Sequence, residues 1–317
     1  MKKLLCLLIA LVLLISAIPA LAASPVRVAA LKGPTAMGMV QMMRDGGESY
    51  EFTLAASADE VTPKLVKGEL DIAAVPANLA SVLFNNTDGA VRVLAINTLG
   101  VLYIVERGDT VQSVEDLRGK TIYTAGKGST PEYALNYILS AGGIDPAGDV
   151  TIEFKSEHAE CLAALLNDPE AVAMLPQPFA TVAQTKAPDM RIALDLTKEW
   201  DALQAGAENP SAMITGVAVA RADFIDENPD AVAAFLTDYK ASVGFTLENT
   251  AEAAQLIGEY GIFEAAPAEK ALPYCNITFI AGEEMRTLLS GYLAELHAQD
   301  PASVGGALPA EDFYFAE

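Results

Sequence analysis

From residue 26 onward, apolar runs of four to six residues alternate with stretches whose apolar positions recur at helical period. This pattern predicts strands alternating with helices in a parallel or mixed α/β fold. The predicted strands are Val26 to Ala30, Tyr50 to Ala55, Asp71 to Val75, Val91 to Ile96, Leu102 to Glu106, Thr121 to Thr124, Val150 to Phe154, Ala171 to Leu175, Arg191 to Asp195 and Gly216 to Ala220. Helix starts are marked by capping-box spacing at Ser57 to Glu60 and Asn249 to Glu252, and by a cap before a first-turn proline at Thr130-Pro131 and Asn228-Pro229. A stripe of Met285, Leu288, Leu289, Tyr292 and Leu296 predicts a long final helix. Between Arg221 and His297 the pattern predicts helices and no further sheet. The chain is therefore expected to return over its first part, giving one lobe from residues 24–98 plus 216–317 and a second from 99–215.

The N-terminus has a different pattern. Met1-Lys2-Lys3 is basic, Leu4 to Ile15 is apolar, Ser16 and Pro19 break the run, and Ala20-Leu21-Ala22 has the small-x-small form that a signal peptidase recognises. Residues 1–22 are expected to be a bacterial secretory signal, cleaved after Ala22 or Ala23; the alternative is a retained anchor over Leu4 to Ala23. Cys6 lacks the small residues of a lipidation site, and no later apolar run reaches about 18 residues. The expectation is a soluble exported protein in the periplasm or at the outer cell surface. Outside the cytoplasm, Cys161 and Cys275 are either bridged or two buried thiols, since both lie among apolar neighbours.

Charge narrows the partners. The 317 residues carry 20 Lys+Arg against 42 Asp+Glu, a net charge of −22, and loss of Lys2 and Lys3 leaves −24. Such an acid excess without a basic run argues against nucleic acid as a partner. With 52% apolar residues the chain is nevertheless set to fold, at a length near which one core divides in two.

Catalytic patterns are sparse. Beyond the signal the histidines are His158 and His297, with no His-x-x-x-His or Cys-x-x-Cys spacing for a metal and no Gly-x-Ser-x-Gly elbow. Cys161 lies three residues after His158, but its Ala and Leu neighbours mark a core-facing helix stripe. Arg118-Gly119-Lys120-Thr121 lacks the upstream glycine of a P-loop, because position 114 is Val; a short helix over Val114 to Leu117 ending at Gly119 accounts for it. The expectations are no enzyme, no cofactor and no metal.

Three loops after predicted strands share one physical design. Leu31-Lys32-Gly33-Pro34-Thr35-Ala36 opens a helix carrying Met37, Val40 and Met43, and Ala125-Gly126-Lys127-Gly128-Ser129-Thr130-Pro131 opens one carrying Tyr133, Leu135 and Ile138. In each, glycine permits close backbone approach, first-turn N–H groups point outward and a lysine stands alongside, a combination suited to an anion or polar group. The third, Leu175-Pro176-Gln177-Pro178-Phe179-Ala180, presents an amide and a ring on a stiff turn, the alternative for Phe179 being packing under its own loop, and Ala74-Val75-Pro76-Ala77-Asn78 occupies the same position after its own strand. A plain strand-to-helix turn is the alternative for each loop alone; their recurrence in both lobes points to a cleft between two clamps.

With these loops in place, the chain resembles the extracytoplasmic solute-binding proteins of ABC importers, in the group of nitrate, sulfonate, taurine and thiamine-pyrimidine binders. The resemblance rests on the secretion signal, Leu31 to Gly38, Gly68-Glu-Leu-Asp-Ile72 before Val75-Pro76, Leu117-Arg-Gly-Lys-Thr121 leading to Gly126 to Thr130, and Pro176 to Thr181. It implies an α/β, two-lobed type II periplasmic-binding-protein fold with an interlobe ligand cleft. It also implies hinge closure on a small organic or oxyanionic solute, sulfonate-like or pyrimidine-like, and delivery by a monomer to a membrane permease with a cytoplasmic ATPase. The pyrimidine-synthase relatives carry a cysteine-rich segment and an active-site histidine that this chain lacks, which places it with the binders. Expected ligand contacts are Lys32, Gly33, Pro34, Thr35, Ala36, Pro76, Asn78, Lys127, Gly128, Ser129, Thr130 and Gln177, and Thr98 and Thr215 are expected beside the hinge. A secreted enzyme, or a receptor reporting solute to a membrane sensor, remains the alternative on the same fold.

Overall fold

The structure, a computed structural model, describes residues 24–206 and 211–316; the signal segment with Cys6 and Ala22 lies outside them. In chain order the elements are β1 (Val26–Leu31), α1 (Pro34–Met37), α2 (Val40–Asp45), β2 (Tyr50–Ala55), α3 (Thr62–Val66), β3 (Ile72–Pro76), α4 (Ala77–Asn86), β4 (Val91–Leu99), β5 (Leu102–Arg107), β6 (Thr121–Ala125), α5 (Thr130–Ala141), β7 (Thr151–Lys155), α6 (His158–Asn167), β8 (Val172–Pro176), α7 (Phe179–Lys186), β9 (Met190–Asp195), α8 (Leu196–Gln204), β10 (Ile214–Arg221), α9 (Ala222–Glu227), α10 (Pro229–Glu248), α11 (Thr250–Glu259), α12 (Ala265–Ala271), β11 (Ile277–Ile280) and α13 (Gly282–Gln299).

These strands form two sheets, each the centre of one lobe. The first has the order β11-β4-β10-β3-β1-β2, and the second β7-β6-β8-β5-β9. In the first, β1 pairs in parallel with β2 and β3, while β10 runs antiparallel to both β3 and β4. In the second, β6 pairs in parallel with β7 and β8, and β5 runs antiparallel to β8 and β9. Central strands such as β3 and β8 are buried along nearly their whole length, which is why they are apolar runs without alternation.

All ten predicted strands form, with ends shifted by at most three residues, the largest shift being β4, which runs on from Ile96 to Leu99. The exception is β11, an eleventh strand within the stretch predicted to hold only helices. Ile277-Thr-Phe-Ile280 pairs antiparallel with β4 after Asn276 turns the chain at φ 45°. Four local expectations also change. The helix expected from Thr35 to Met43 is two short pieces, α1 and α2, and at Gly38 between them an added Cβ would lie 3.0 Å from Ile277 and 3.1 Å from Val243. At Asn249 no capping box forms, because the side-chain amide donates back to the Phe245 carbonyl and closes α10 instead. The cap of α5 is Ser129, with Thr130 its first helical residue, and Val114–Leu117 is a 3-10 turn.

Hydrophobic packing does not respect the division between sheets. One cluster runs from Ala29, Val75 and Ile96 of the first sheet to Leu102, Ile104 and Val172 of the second, through α4, α5 and α13. At its centre Trp200 lies 4.5 Å from the Tyr137 ring and 5.2 Å from that of Tyr292, with its indole N–H on the carbonyl and hydroxyl of Ser211. Separate clusters cover the opposite faces of each sheet, one including α1, α2 and α10, the other α6 and α7. Cys161 and Cys275 lie in these two different clusters as free, buried thiols.

The second sheet carries a buried ionic staple. The Glu106 carboxylate on β5 accepts from the Thr110 hydroxyl at 2.7 Å and from the Val111 N–H at 3.1 Å, and pairs with Arg191 of β9 at 2.5 Å. Burial works to raise its pKa, but the Thr110 and Val111 hydrogen bonds with the Arg191 charge outweigh burial and hold it below the ordinary value of 4.5. The stability it contributes is therefore complete above the ordinary glutamate range and is lost as pH falls through the lower folded value. Glu106→Gln is expected to cost about 1–3 kcal/mol at neutral pH, with the deficit shrinking below about pH 4. Urea midpoints of both proteins across that range check this; a deficit independent of pH contradicts it.

Candidate functional site

Strand register places the ends of both sheets at one level. Pro76, at the end of β3, pairs with Gly216 on β10, and Gly216 pairs with Thr98 near the end of β4. Two residues after β4 the chain begins β5 at Leu102, which pairs with Pro176 at the end of β8. The Gln177 N–H donates to the Val101 carbonyl in that crossing segment at 3.2 Å. The parallel strands β1, β2 and β3 thus end facing the level at which β6, β7 and β8 end. The loops after these strands stand on either side of the crossings, as ligand loops do in open α/β sheets.

The crossings are tied to one another. Thr215 donates its hydroxyl to the Leu99 carbonyl at 2.5 Å, Thr98 donates to the Asn97 side-chain oxygen at 3.1 Å, and the Asn276 amide donates to the Gly100 carbonyl.

In the first lobe, Lys32 is exposed and Gly33 is held at φ 131°, a conformation glycine tolerates, as the residue before α1. Thr35 turns its hydroxyl onto the Leu31 carbonyl at 2.8 Å, and Ala36 is buried beneath it. Among the described residues no hydrogen bond engages the N–H of Gly33 or Thr35, so both remain available. A side chain at Gly216 would lie 2.5 Å from Asn97 Oδ1 and 2.7 Å from the Thr35 methyl; the bare backbone there lets this loop seat against β10. Asn97 Nδ2 and the Tyr239 hydroxyl are buried without partners.

The opposing loop is engaged differently. The Gly128 N–H donates to the Glu132 carboxylate at 2.5 Å, so the chain's own anion occupies part of the expected receptor. Ser129 donates its hydroxyl to the Gly126 carbonyl at 2.8 Å. Lys127 is exposed, with its ammonium 5.7 Å from the centre of the Phe154 ring.

Asn78 joins the lobes. It is fully buried, and its amide donates to the Ser303 carbonyl at 3.0 Å and to the Gly128 carbonyl at 3.4 Å. Its oxygen accepts from the buried Thr130 hydroxyl at 3.2 Å. The geometry gives Asn78 and Thr130 to each other as an interlobe contact and leaves neither with a free donor. Pro34 and Pro76 are partly exposed beside these loops. Gln177 is buried, and its oxygen accepts from the Thr181 hydroxyl and N–H, leaving its NH2 as the free end.

The pairing of His158 with Cys161 has no catalytic geometry. The Cys161 thiol donates to the Glu157 carbonyl at 3.5 Å, and burial pushes its pKa up to about 11. Burial pushes half-buried His158 down to about 4, leaving it neutral, and its ring lies 5.8 Å from that of Phe179. Phe179 in turn meets Phe263 of the first lobe edge-on at 5.2 Å, an interlobe contact that periodicity does not announce. Among the described residues no group of three or more metal-ligating side chains gathers, and no helix is long and apolar enough to cross a membrane.

Residues 24–271 match the family model described as ABC transporter, phosphonate, periplasmic substrate-binding protein. Among solved structures, an ABC transporter protein from Parabacteroides distasonis is similar at TM-score 0.78 and 22% identity, covering 93% of this chain and 99% of that one. The periplasmic aliphatic sulphonate binding protein SsuA from Escherichia coli is similar at TM-score 0.72 and 14% identity, over 93% and 92% of the two chains. The periplasmic nitrate-binding protein NrtA from Synechocystis PCC 6803 follows at 0.66 and 15%, over 92% and 84%. No curated protein sequence matches the chain significantly.

Proposed function

The chain belongs to the ABC-transporter family of phosphonate periplasmic substrate-binding proteins, and from that premise we propose that it captures a small organic or oxyanionic solute between its lobes and delivers it to a membrane permease. The observation that carries this reading is the common level at which the parallel strands of both sheets end, with the chain crossing beside it. One lobe then comprises residues 24–98 and 216–317 and the other 99–215, with Thr98 and Thr215 beside the pivots. Solute contacts come from Lys32, from the free N–H groups of Gly33 and Thr35, from Lys127 and from the Gln177 amide. Ser129, Thr130 and Asn78 hold the opposing loop in place.

A phosphonate- or sulfonate-like head suits this donor set. Two unpaired lysines and backbone N–H groups provide charge-assisted hydrogen bonds, while carboxylates more than about 8 Å away are screened. Capture without turnover is the reading the family supports, and the Cys161–His158 pair offers it no activated nucleophile, because burial keeps the thiol protonated and the imidazole neutral. Closure follows from contacts that both lobes make to one solute, which favour the arrangement offering both.

Titration with methylphosphonate, ethanesulfonate and nitrate tests this, with native mass spectrometry of protein purified from its own host to reveal a co-purified solute. At least one ligand is expected to raise the melting temperature and reduce the small-angle scattering radius. Joint replacement Lys32→Glu and Lys127→Glu is expected to weaken anion binding at least about 10-fold. Absence of any shift, together with no co-purified solute, removes the capture reading, and turnover of a bound compound replaces it with an enzyme.

A further inference from the structure

Away from the strand ends, a half-open cavity of about 730 Å³ lies between the α6–α7 face of the second lobe and the α11–α12 turn of the first. Small residues create the space: Ala159 and Ala163, four apart on one face of α6, oppose Gly258 and Gly261. Leu162, Leu166, Val182, Phe179 and Phe263 make its apolar walls, and the edge-on packing of the two phenylalanines leaves ring surface turned to the space. The lining carries two charges, Lys186 at the end of α7 and Glu264 just before α12. One comes from each lobe, and neither forms an ion pair among the described residues. Ala163, Leu166 and Lys186 lie one to two turns beyond the helix starts that face the cleft, so this cavity is separate from the Lys32 and Lys127 loops.

We propose that this cavity is a second ligand site, for an apolar zwitterion such as a free amino acid with an aromatic or branched side chain. The apolar walls take the side chain, Lys186 receives the carboxylate and Glu264 the ammonium. Volume and apolar lining fall in the range of small-molecule sites. A ligand with both charges matches this lining, whereas a simple anion meets Glu264 and a simple cation meets Lys186. Each lobe supplies one charge and one wall, so an occupant binds only when the lobes stand in this arrangement. Given the capture reading above, the zwitterion favours this arrangement of the lobes, and by reciprocity it and the cleft solute change each other's affinity by the same factor.

The test compares L-phenylalanine with phenylacetate, which lacks the ammonium, and phenethylamine, which lacks the carboxylate, by calorimetric titration of the full-length mature protein. Phenylalanine is expected to bind at least about 10-fold tighter than either. Lys186→Gln should reduce phenylalanine to the level of phenethylamine, and Glu264→Gln to the level of phenylacetate. Ala163→Phe, on an exposed helical position, should fill the cavity and abolish all three. Equal binding of the three compounds, or undiminished phenylalanine binding in both Lys186→Gln and Glu264→Gln, overturns the site and leaves cleft capture standing. Loss of phenylalanine binding in the Lys32→Glu, Lys127→Glu protein makes it the cleft solute and also overturns the second site. Phenylalanine binding with this selectivity, alongside no response to any oxyanion, upholds the second site while the capture reading fails.

Discussion

Trp200→Ala is expected to destabilise the protein by about 3–5 kcal/mol, more than any other single replacement argued for this chain. Trp200 is fully buried where α5, α8 and α13 meet, stacked between Tyr137 and Tyr292. Truncation removes the largest apolar surface at the junction of the two sheets and leaves a cavity that three helices cannot all collapse into. It also frees the Ser211 carbonyl and hydroxyl, which the indole N–H now satisfies at 3.2 Å. Because the cluster around it spans both sheets, the lobes are expected to lose cooperativity as well as stability. Urea unfolding followed by far-ultraviolet circular dichroism should show a lower midpoint and a shallower or two-step transition. Trp200→Phe, which keeps a ring in the stack, should recover most of the loss. A Trp200→Ala protein with an unchanged midpoint and a single steep transition would show that the lobes do not share this core.

The strands were legible because buried parallel strands are nearly continuous apolar runs, and β3 and β8 contain little else. The missed strand, β11, is only four residues long and lies among helices. Its signal, a β-branched and aromatic run after an asparagine suited to positive φ, is one that helical surroundings mask. The loops after β1 and β6 were legible as strand-to-helix turns carrying glycine and lysine, but their internal hydrogen bonds were not. Glu132 reaching back to Gly128 depends on a rotamer, and no spacing rule separates it from a solvated helix carboxylate. Phe263, Asn97 and Gly216 were invisible for a further reason. Each matters through a residue between 84 and 181 positions away, and periodicity along the chain carries no information about such contacts.

Asn78→Ala is expected to cost about 2–3 kcal/mol and to loosen the Gly126–Thr130 loop specifically. The asparagine sits at the start of α4, and its single amide group reaches three residues in two other segments: Gly128 and Thr130 of the second lobe and Ser303 after α13. Asn78, Thr130 and Ser303 are buried, so removing the amide leaves the Thr130 hydroxyl and the Ser303 carbonyl without water to replace it, while the exposed Gly128 carbonyl turns to solvent. Thr130→Val tests the same link from the other side, because it keeps the shape and removes only the hydroxyl. Residues that act through one hydrogen bond are coupled, and the double replacement should cost about 0.5–3 kcal/mol less than the sum of the singles. Hydrogen exchange separates this from general destabilisation: amides of residues 126–130 should exchange faster in either variant while those of β1 and β3 keep their protection. If the two replacements add fully and the loop amides are unaffected, Asn78 is not what holds this loop against the first lobe. If they couple, the loop that faces the solute owes its position to a residue of the opposite lobe. Solute affinity should then fall in Asn78→Ala although Asn78 donates nothing to the solute.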